Sequence, residues 1–140
     1  MRSRKPDITF ILPSGPFLEL GAGSGWLAFL LQEAGAEIEA YDLQAHASSS
    51  SSASTFIPEW LLWPWSSCVK KGSIEKLQES SSASKTLLLC WPDMETSFAT
   101  SCLAAYRGSR LVFVGELRGG ETAEVSDRMC SLCRMCSLTL

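Results

Sequence analysis

Three glycines at alternate positions form the segment of this sequence that is best suited to binding a ligand. The pattern Glu-x-Gly-x-Gly-x-Gly comprises Glu19, Gly21, Gly23 and Gly25, directly after a short apolar run. Glycines lack the side chains that would hold a ligand away from the main chain. A helix predicted to begin at Trp26 adds free N–H groups and a slightly positive end. We therefore expect this loop to accommodate a nucleoside-type cofactor.

A second acidic residue, Asp42, stands 17 positions after Gly25, just past the next predicted strand. A carboxylate there can accept hydrogen bonds from two adjacent ribose hydroxyls, and its charge strengthens those bonds. The combination predicts an adenosine-containing ligand. A dinucleotide fingerprint would read Gly-x-Gly-x-x-Gly, and Trp26 occupies the position of its third glycine, which disfavours a nicotinamide-dependent oxidoreductase. The alternative is an ordinary strand-to-helix connection in which Asp42 is a turn or capping acid.

The elements that must position these residues alternate between strands and helices. Short apolar runs predict strands at residues 16–20, 37–41, 68–71, 86–90 and 110–114, of which 68–71 is a short edge strand. Residues 26–34 predict a buried helix that ends at Gly35, and a stripe over residues 94–106 predicts a second helix closed by Gly108. A short helix is expected at 74–79.

This alternation predicts an α/β fold, an open and mostly parallel Rossmann-like sheet of about five strands with flanking helices. Nothing after residue 120 predicts a terminal antiparallel pair. Residues 1–14 are assigned to an N-terminal extension, 15–122 to the α/β domain and 123–140 to a cysteine-rich, low-complexity tail. Serine-rich stretches at 47–55 and 80–85 are expected to be flexible surface loops. In such a sheet, ligands bind at the carboxyl ends of the strands.

Composition excludes several classes of function. With 140 residues, of which 46% are apolar, the chain suffices for one compact domain. The net charge of -3 disfavours non-specific nucleic-acid binding. No apolar stretch approaches the roughly 20 residues that cross a bilayer, so we expect no membrane association. The basic opening is broken by prolines, which argues against a secretory signal and for a cytoplasmic protein with reduced cysteines.

The cysteine-rich tail invites a metal-site interpretation. Cys130, Cys133 and Cys136 have the spacing of an iron–sulfur run, but a fourth cysteine and a proline are missing. The segment also repeats itself, since Arg-Met-Cys-Ser-Leu begins at both Arg128 and Arg134. We therefore predict no metal site.

The pattern Glu19-x-Gly21-x-Gly23-x-Gly25 with Asp42 resembles the first two cofactor motifs of the class I S-adenosylmethionine-dependent methyltransferases. The resemblance runs from about residue 17 to 120 and is specific over 17–44. It implies S-adenosyl-L-methionine as cofactor, with Glu19 and the glycine loop, including Ala22, along the methionine part. It further implies that Asp42 holds the ribose, that Leu43 flanks the adenine, and that Ser73 lies where the family often has an acid or amide near the adenine amine.

The residues that would contact a substrate, the acceptor of the methyl group, are less clearly indicated. Trp91, Pro92 and Asp93 follow the fourth strand, where many of these enzymes have an Asn- or Asp-Pro-Pro-aromatic motif, and Glu116 stands in the loop after the fifth. Here the polar lead residue and one proline are absent, and Asp93 replaces the aromatic residue. As single acids in loops, Asp93 and Glu116 are more often caps.

The resemblance implies methyl transfer to an unidentified acceptor. No catalytic residue is assigned, because direct displacement depends mainly on alignment. The alternative is a catalytically inactive remnant that retains only the cofactor site, which the altered segment after the fourth strand favours.

Overall fold

The computed structural model of the chain describes residues 8–45, 67–92 and 97–115. Within those ranges the strands are β1 (Phe17–Leu20), β2 (Ile38–Asp42), β3 (Val69–Lys71), β4 (Thr86–Cys90) and β5 (Leu111–Val114). The α-helices are α1 (Trp26–Glu33) and α2 (Phe98–Ala105), and short 3-10 helices span Leu12–Ser14, Ile74–Gln78 and Ser80–Ser84. All the predicted strands are confirmed, with boundaries that move by no more than one residue.

The five strands form one open sheet in the order β3-β2-β1-β4-β5, and every neighbouring pair is parallel. The predicted α/β Rossmann-like class is therefore confirmed. From β1 the chain adds β2 and β3 on one side, and then adds β4 and β5 on the other side. The switch point therefore lies between β1 and β4, where doubly wound sheets open a ligand crevice at their carboxyl edge. The described residues include no antiparallel strand, and the segment after residue 115 lies outside them.

Both faces of the sheet are covered, which explains why its strands are apolar at successive positions. On one face, Leu18 and Leu20 pack with α2 through Ala99, Cys102 and Leu103. On the other face, the buried side chains of β1, β2 and β4 pack with α1; this group contains Phe17, Leu27, Ala28, Leu31, Ala40 and Leu88. Ile8 and Ile11 join the α1 layer, so part of the segment assigned to an N-terminal extension packs on the domain core.

The structure confirms the predicted end of α1 but not the predicted end of α2. Gly35 closes α1 as predicted: it has φ +88°, and its N–H donates to the Gln32 carbonyl at 2.9 Å. The second helix instead ends at Ala105, three residues before Gly108. Tyr106 turns the chain into an extended conformation there. Gly108 packs so closely against the Tyr106 ring that a larger residue would clash with it.

The second serine-rich stretch is not the loop that its composition predicts. Residues Ser80–Ser84 form a 3-10 helix, and Ser82 is buried with its hydroxyl donating to the Lys76 carbonyl. The other serine-rich stretch, at 47–55, and the tail at 123–140 lie outside the described residues. In the part of the chain that the structure describes, no helix is long and apolar enough to cross a membrane.

Candidate functional site

The glycine turn, residues 21–25, joins β1 to α1 at the carboxyl edge of the sheet. Gly21, Gly23 and Gly25 have φ values of +70°, +55° and +80°, all in the left-handed region that favours glycine. Gly25 caps α1, and its carbonyl accepts the N–H of Phe29 at 2.9 Å. The alternating glycines of the sequence are therefore required by the backbone path of this turn.

Two glycines of the turn, Gly21 and Gly23, differ in their surroundings. A Cβ added to Gly21 would lie 3.1 Å from the Phe98 ring, so this glycine allows close packing against α2. A Cβ added to Gly23 would meet no atom of the described residues within 4 Å. Gly23 therefore presents bare main chain to open space, which is the condition a ligand needs to approach the backbone.

Asp42, at the end of β2, lies directly against this turn. Its Oδ2 accepts the Gly23 N–H at 2.9 Å, and its Oδ1 accepts the Gln44 N–H at 2.8 Å. The half-buried carboxylate thus joins the turn to the second strand, as a turn acid does, whereas α1 has no side-chain cap at Gly25. Each carboxylate oxygen has a further lone pair, so the same geometry leaves capacity for ribose hydroxyls.

Glu19 lies at the base of the turn and is buried, with 1% of its surface exposed. Within the described residues, its Oε2 has no hydrogen-bond partner. Burial, and then the charge of Asp42, raises the pKa of Glu19 from 4.5 to about 8. An acid in this position is mostly protonated at neutral pH.

Two cysteines lie near Glu19 on the same side of the sheet. The Cys68 thiol donates to the Gly25 carbonyl at a sulfur–oxygen distance of 3.6 Å. Burial raises the pKa of both Cys68 and Cys90, the latter to about 12, and the charge of Glu19 adds to the effect. Both thiols are therefore neutral and unreactive at physiological pH. In the described ranges, no group of three or more His, Cys, Asp or Glu side chains could hold a metal ion.

Leu43 and Ser73, the two residues expected beside the adenine, lie just after Asp42 and just after β3. The Leu43 side chain is 65% exposed. Ser73 follows Gly72, whose N–H donates to the Asp42 carbonyl at 3.2 Å. The Ser73 N–H donates to Glu75 Oε1 at 2.7 Å. The weak third strand is thus held beside β2 and brings Ser73 to the same edge.

The chain turns sharply after β4, where candidate residues for contact with a substrate were predicted. Trp91 has φ +47° and is 45% exposed, and its N–H donates to the Val114 carbonyl at 2.7 Å. A non-glycine residue in this conformation costs on the order of 1–3 kcal/mol and is typical of functional sites. Pro92 is buried. The other two acceptor-side candidates, Asp93 and Glu116, lie outside the described residues.

Sequence reasoning missed two contributors to the site. Phe98 was expected only as part of a helical stripe, yet its ring packs on Gly21. Cys68 was expected only as the start of an edge strand, yet its thiol contacts the glycine turn. Neither contact has a local signal, because both depend on elements that are distant in the chain.

Comparison of the chain with models of protein families, with curated proteins and with solved structures finds no match. The functional interpretation consequently depends on the geometry of the glycine turn, Asp42, Glu19 and the residues around them.

Proposed function

We propose that this chain binds S-adenosyl-L-methionine at the carboxyl edge of its sheet and transfers the methyl group to an acceptor. The observation that supports this most strongly is the contact between Gly23 and Asp42. It unites a turn of left-handed glycines with a carboxylate from the neighbouring strand, at 2.9 Å. The strand order β3-β2-β1-β4-β5 supports the proposal, because ligands of doubly wound sheets bind at the carboxyl edge beside the switch point, where the glycine turn follows β1.

The adenosine half of the cofactor fits the residues that follow β2. The remaining lone pairs of the Asp42 carboxylate accept the two ribose hydroxyls, while the Gly23 and Gln44 amides hold that carboxylate in place. Leu43 offers an exposed apolar surface to a purine ring. Ser73 lies near enough to β2, through the bond from Gly72, to contribute a hydroxyl at the adenine edge.

The methionine half fits the glycine turn. Gly23 leaves its backbone uncovered, so a ligand approaches the main chain without steric conflict. Glu19 lies beneath the turn, where its carboxyl would meet the ammonium and sulfonium of the methionine part.

Bound S-adenosylmethionine supplies an electrophilic methyl carbon, which a nucleophile displaces from the sulfonium. The residues of the chain bind and orient, and alignment alone is worth roughly 7–11 kcal/mol in reactions of this kind. The exposed Trp91 ring, held by its backbone bond to Val114, is the described side chain best placed to contact an acceptor.

A second candidate is a protein that binds the cofactor without turning it over. It is favoured by the acceptor side, because the described residues there, Trp91 and Pro92, have no group that can take up a proton. Turnover distinguishes the two: methylated product with an amine, hydroxyl or thiol acceptor supports the enzyme, and binding without product supports the remnant.

The proposal is tested by calorimetric titration of the chain with S-adenosylmethionine, S-adenosylhomocysteine and NAD. We expect one site for the first two ligands and none for NAD. Asp42→Ala should weaken binding by roughly 10- to 100-fold, the equivalent of charge-assisted hydrogen bonds worth about 1.5–3 kcal/mol. Glu37→Ala is the matched control, since it removes an exposed carboxylate at the opposite edge of the sheet.

Asp42→Ala also removes the acceptor of two loop amides, so its fold is checked by circular dichroism. Asp42→Asn retains one oxygen and the side-chain shape, and should lose affinity while remaining folded. Absence of binding by the well-folded parent, or equal binding by parent and both Asp42 variants, would contradict the site assignment.

A further inference from the structure

The buried carboxyl of Glu19 is the one feature of the site that packing within the described residues does not explain. The glutamate lies on the apolar face of β1 that packs against α1, and both neighbours of its strand, β2 and β4, enclose it. Its Oε2 has no hydrogen-bond partner among the described residues. An unpaired polar atom in such a place is costly, and native proteins retain one mainly where it serves a function.

Among the residues that the structure describes, the groups that face Glu19 provide no positively charged side chain. Asp42 approaches from β2, Cys90 from β4, and Cys68 from the segment before β3. The helix α1 covers this face with Leu27, Ala28 and Leu31, which carry no charge. The two thiols stay neutral, because burial raises the pKa of each. Within the described residues, a negative charge on Glu19 is therefore opposed by burial and by Asp42, and no charged side chain compensates it.

We propose that Glu19 senses the charge of the ligand: it is a neutral carboxylic acid when the turn is empty and releases its proton when the ammonium or sulfonium of a ligand occupies the turn. The O–H bond of the acid breaks, the electron pair stays on the carboxylate, and the proton passes to the buffer. The ligand then supplies the positive charge that the fold lacks. This inference rests on the proposed function for the identity of the ligand.

Such a residue makes the site selective for a class of ligand. A nucleoside that bears an ammonium or sulfonium gains an ion pair in a region of low dielectric constant. A neutral nucleoside only covers Glu19 further and so keeps it protonated. Because binding of the cation releases a proton, its affinity rises with pH, by up to about tenfold per pH unit. The rise ends near the Glu19 pKa of about 8, above which the residue is already ionised.

The experiment measures protons directly. S-adenosylhomocysteine, which has an ammonium, and 5′-methylthioadenosine, which has none, are titrated calorimetrically at pH 7 in two buffers of different ionisation enthalpy. We expect release of nearly one proton with the first ligand and none with the second. In Glu19→Gln, release should vanish and the affinity for S-adenosylhomocysteine should no longer rise with pH. Glu33→Gln, an identical change at an exposed position, should behave as the parent.

A second measurement makes failure of the inference distinguishable from failure of the proposed function. Carbon-13 NMR of the Glu19 carboxyl, assigned with Glu19→Gln, follows its titration before any ligand is added. A midpoint near 8 supports the inference, and a midpoint near the ordinary 4.5 overturns it. Binding without proton release also overturns it. If neither nucleoside binds, the proposed function fails, whatever the carboxyl titration gives.

Discussion

Replacing Glu19 with glutamine should change how the stability of this protein depends on pH. The acid is buried, and its pKa rises from 4.5 to about 8 on folding. Between these two values the folded protein binds more protons than the unfolded chain, so the free energy of unfolding falls as the pH rises. The stabilisation that the protonated acid provides is complete below pH 4.5. It is lost progressively as the pH rises to about 8 and is absent above that pH.

The size of the effect follows from the same two values. Each pH unit between them lowers the free energy of unfolding by about 1.4 kcal/mol. Between pH 5 and pH 9 the parent should therefore lose on the order of 4 kcal/mol through Glu19, a large part of the 5–15 kcal/mol typical of a domain. Glutamine has nearly the same shape and cannot ionise, so Glu19→Gln should lack this loss.

Urea unfolding followed by circular dichroism, at pH intervals from 5 to 9, provides the assay. Subtracting the Glu19→Gln curve from the parent curve removes the titration of all other groups. We expect the difference to change by several kcal/mol in favour of the variant as the pH rises. Parallel curves for parent and variant would contradict this prediction, since they would mean that Glu19 has similar pKa values in the folded and unfolded chains.

Two further predictions concern the glycine turn and the core. Gly23→Ala should lower the free energy of unfolding by about 1–2 kcal/mol, because alanine is strained at φ +55°, and should also weaken cofactor binding. Gly35→Ala, at φ +88° with equally open surroundings, should show the loss of stability alone; equal binding by both variants would contradict the role of Gly23. Tyr106→Phe should destabilise by roughly 1–3 kcal/mol in urea unfolding, because the tyrosine hydroxyl lies 2.7 Å from the carbonyls of Lys85 and Arg110. An unchanged midpoint would mean that water replaces the hydroxyl.

The sheet was predictable because each strand is a short apolar run bounded by glycine or polar residues. Residues Thr86–Cys90, buried at four successive positions, indicate on their own a strand covered on both faces. Gly35 likewise marked the end of α1. The end of α2 was predicted at Gly108 instead of Ala105, because the turn at Tyr106 is accompanied by a hydroxyl bond to the Lys85 carbonyl, 21 residues away, which no local pattern encodes.

The candidate site was predictable only in part. The glycine spacing and Asp42 indicated their own proximity, which the bond between Gly23 and Asp42 confirms. A turn or capping role of Asp42 was an open alternative, and its bonds to the Gly23 and Gln44 amides are those of a turn acid, not of a helix cap. The burial of Glu19 without a partner could not be inferred, since it depends on how β2, β4 and α1 close around one side chain. The serine-rich 3-10 helix was missed because Ser82 is buried through a tertiary bond to Lys76.

The most direct test of the proposed cofactor site is a nitrogen-15 NMR titration of the chain with S-adenosylhomocysteine. Glycine amides occupy a distinct region of the spectrum, so the turn is observed separately from the rest of the molecule. We predict saturable shifts of the Gly21, Gly23 and Gly25 amides together with Asp42, while Gly35 and Gly108, which lie away from the turn, stay unchanged. An unchanged spectrum at saturating ligand, or shifts confined to residues away from the turn, would show that the cofactor does not bind at the glycine turn.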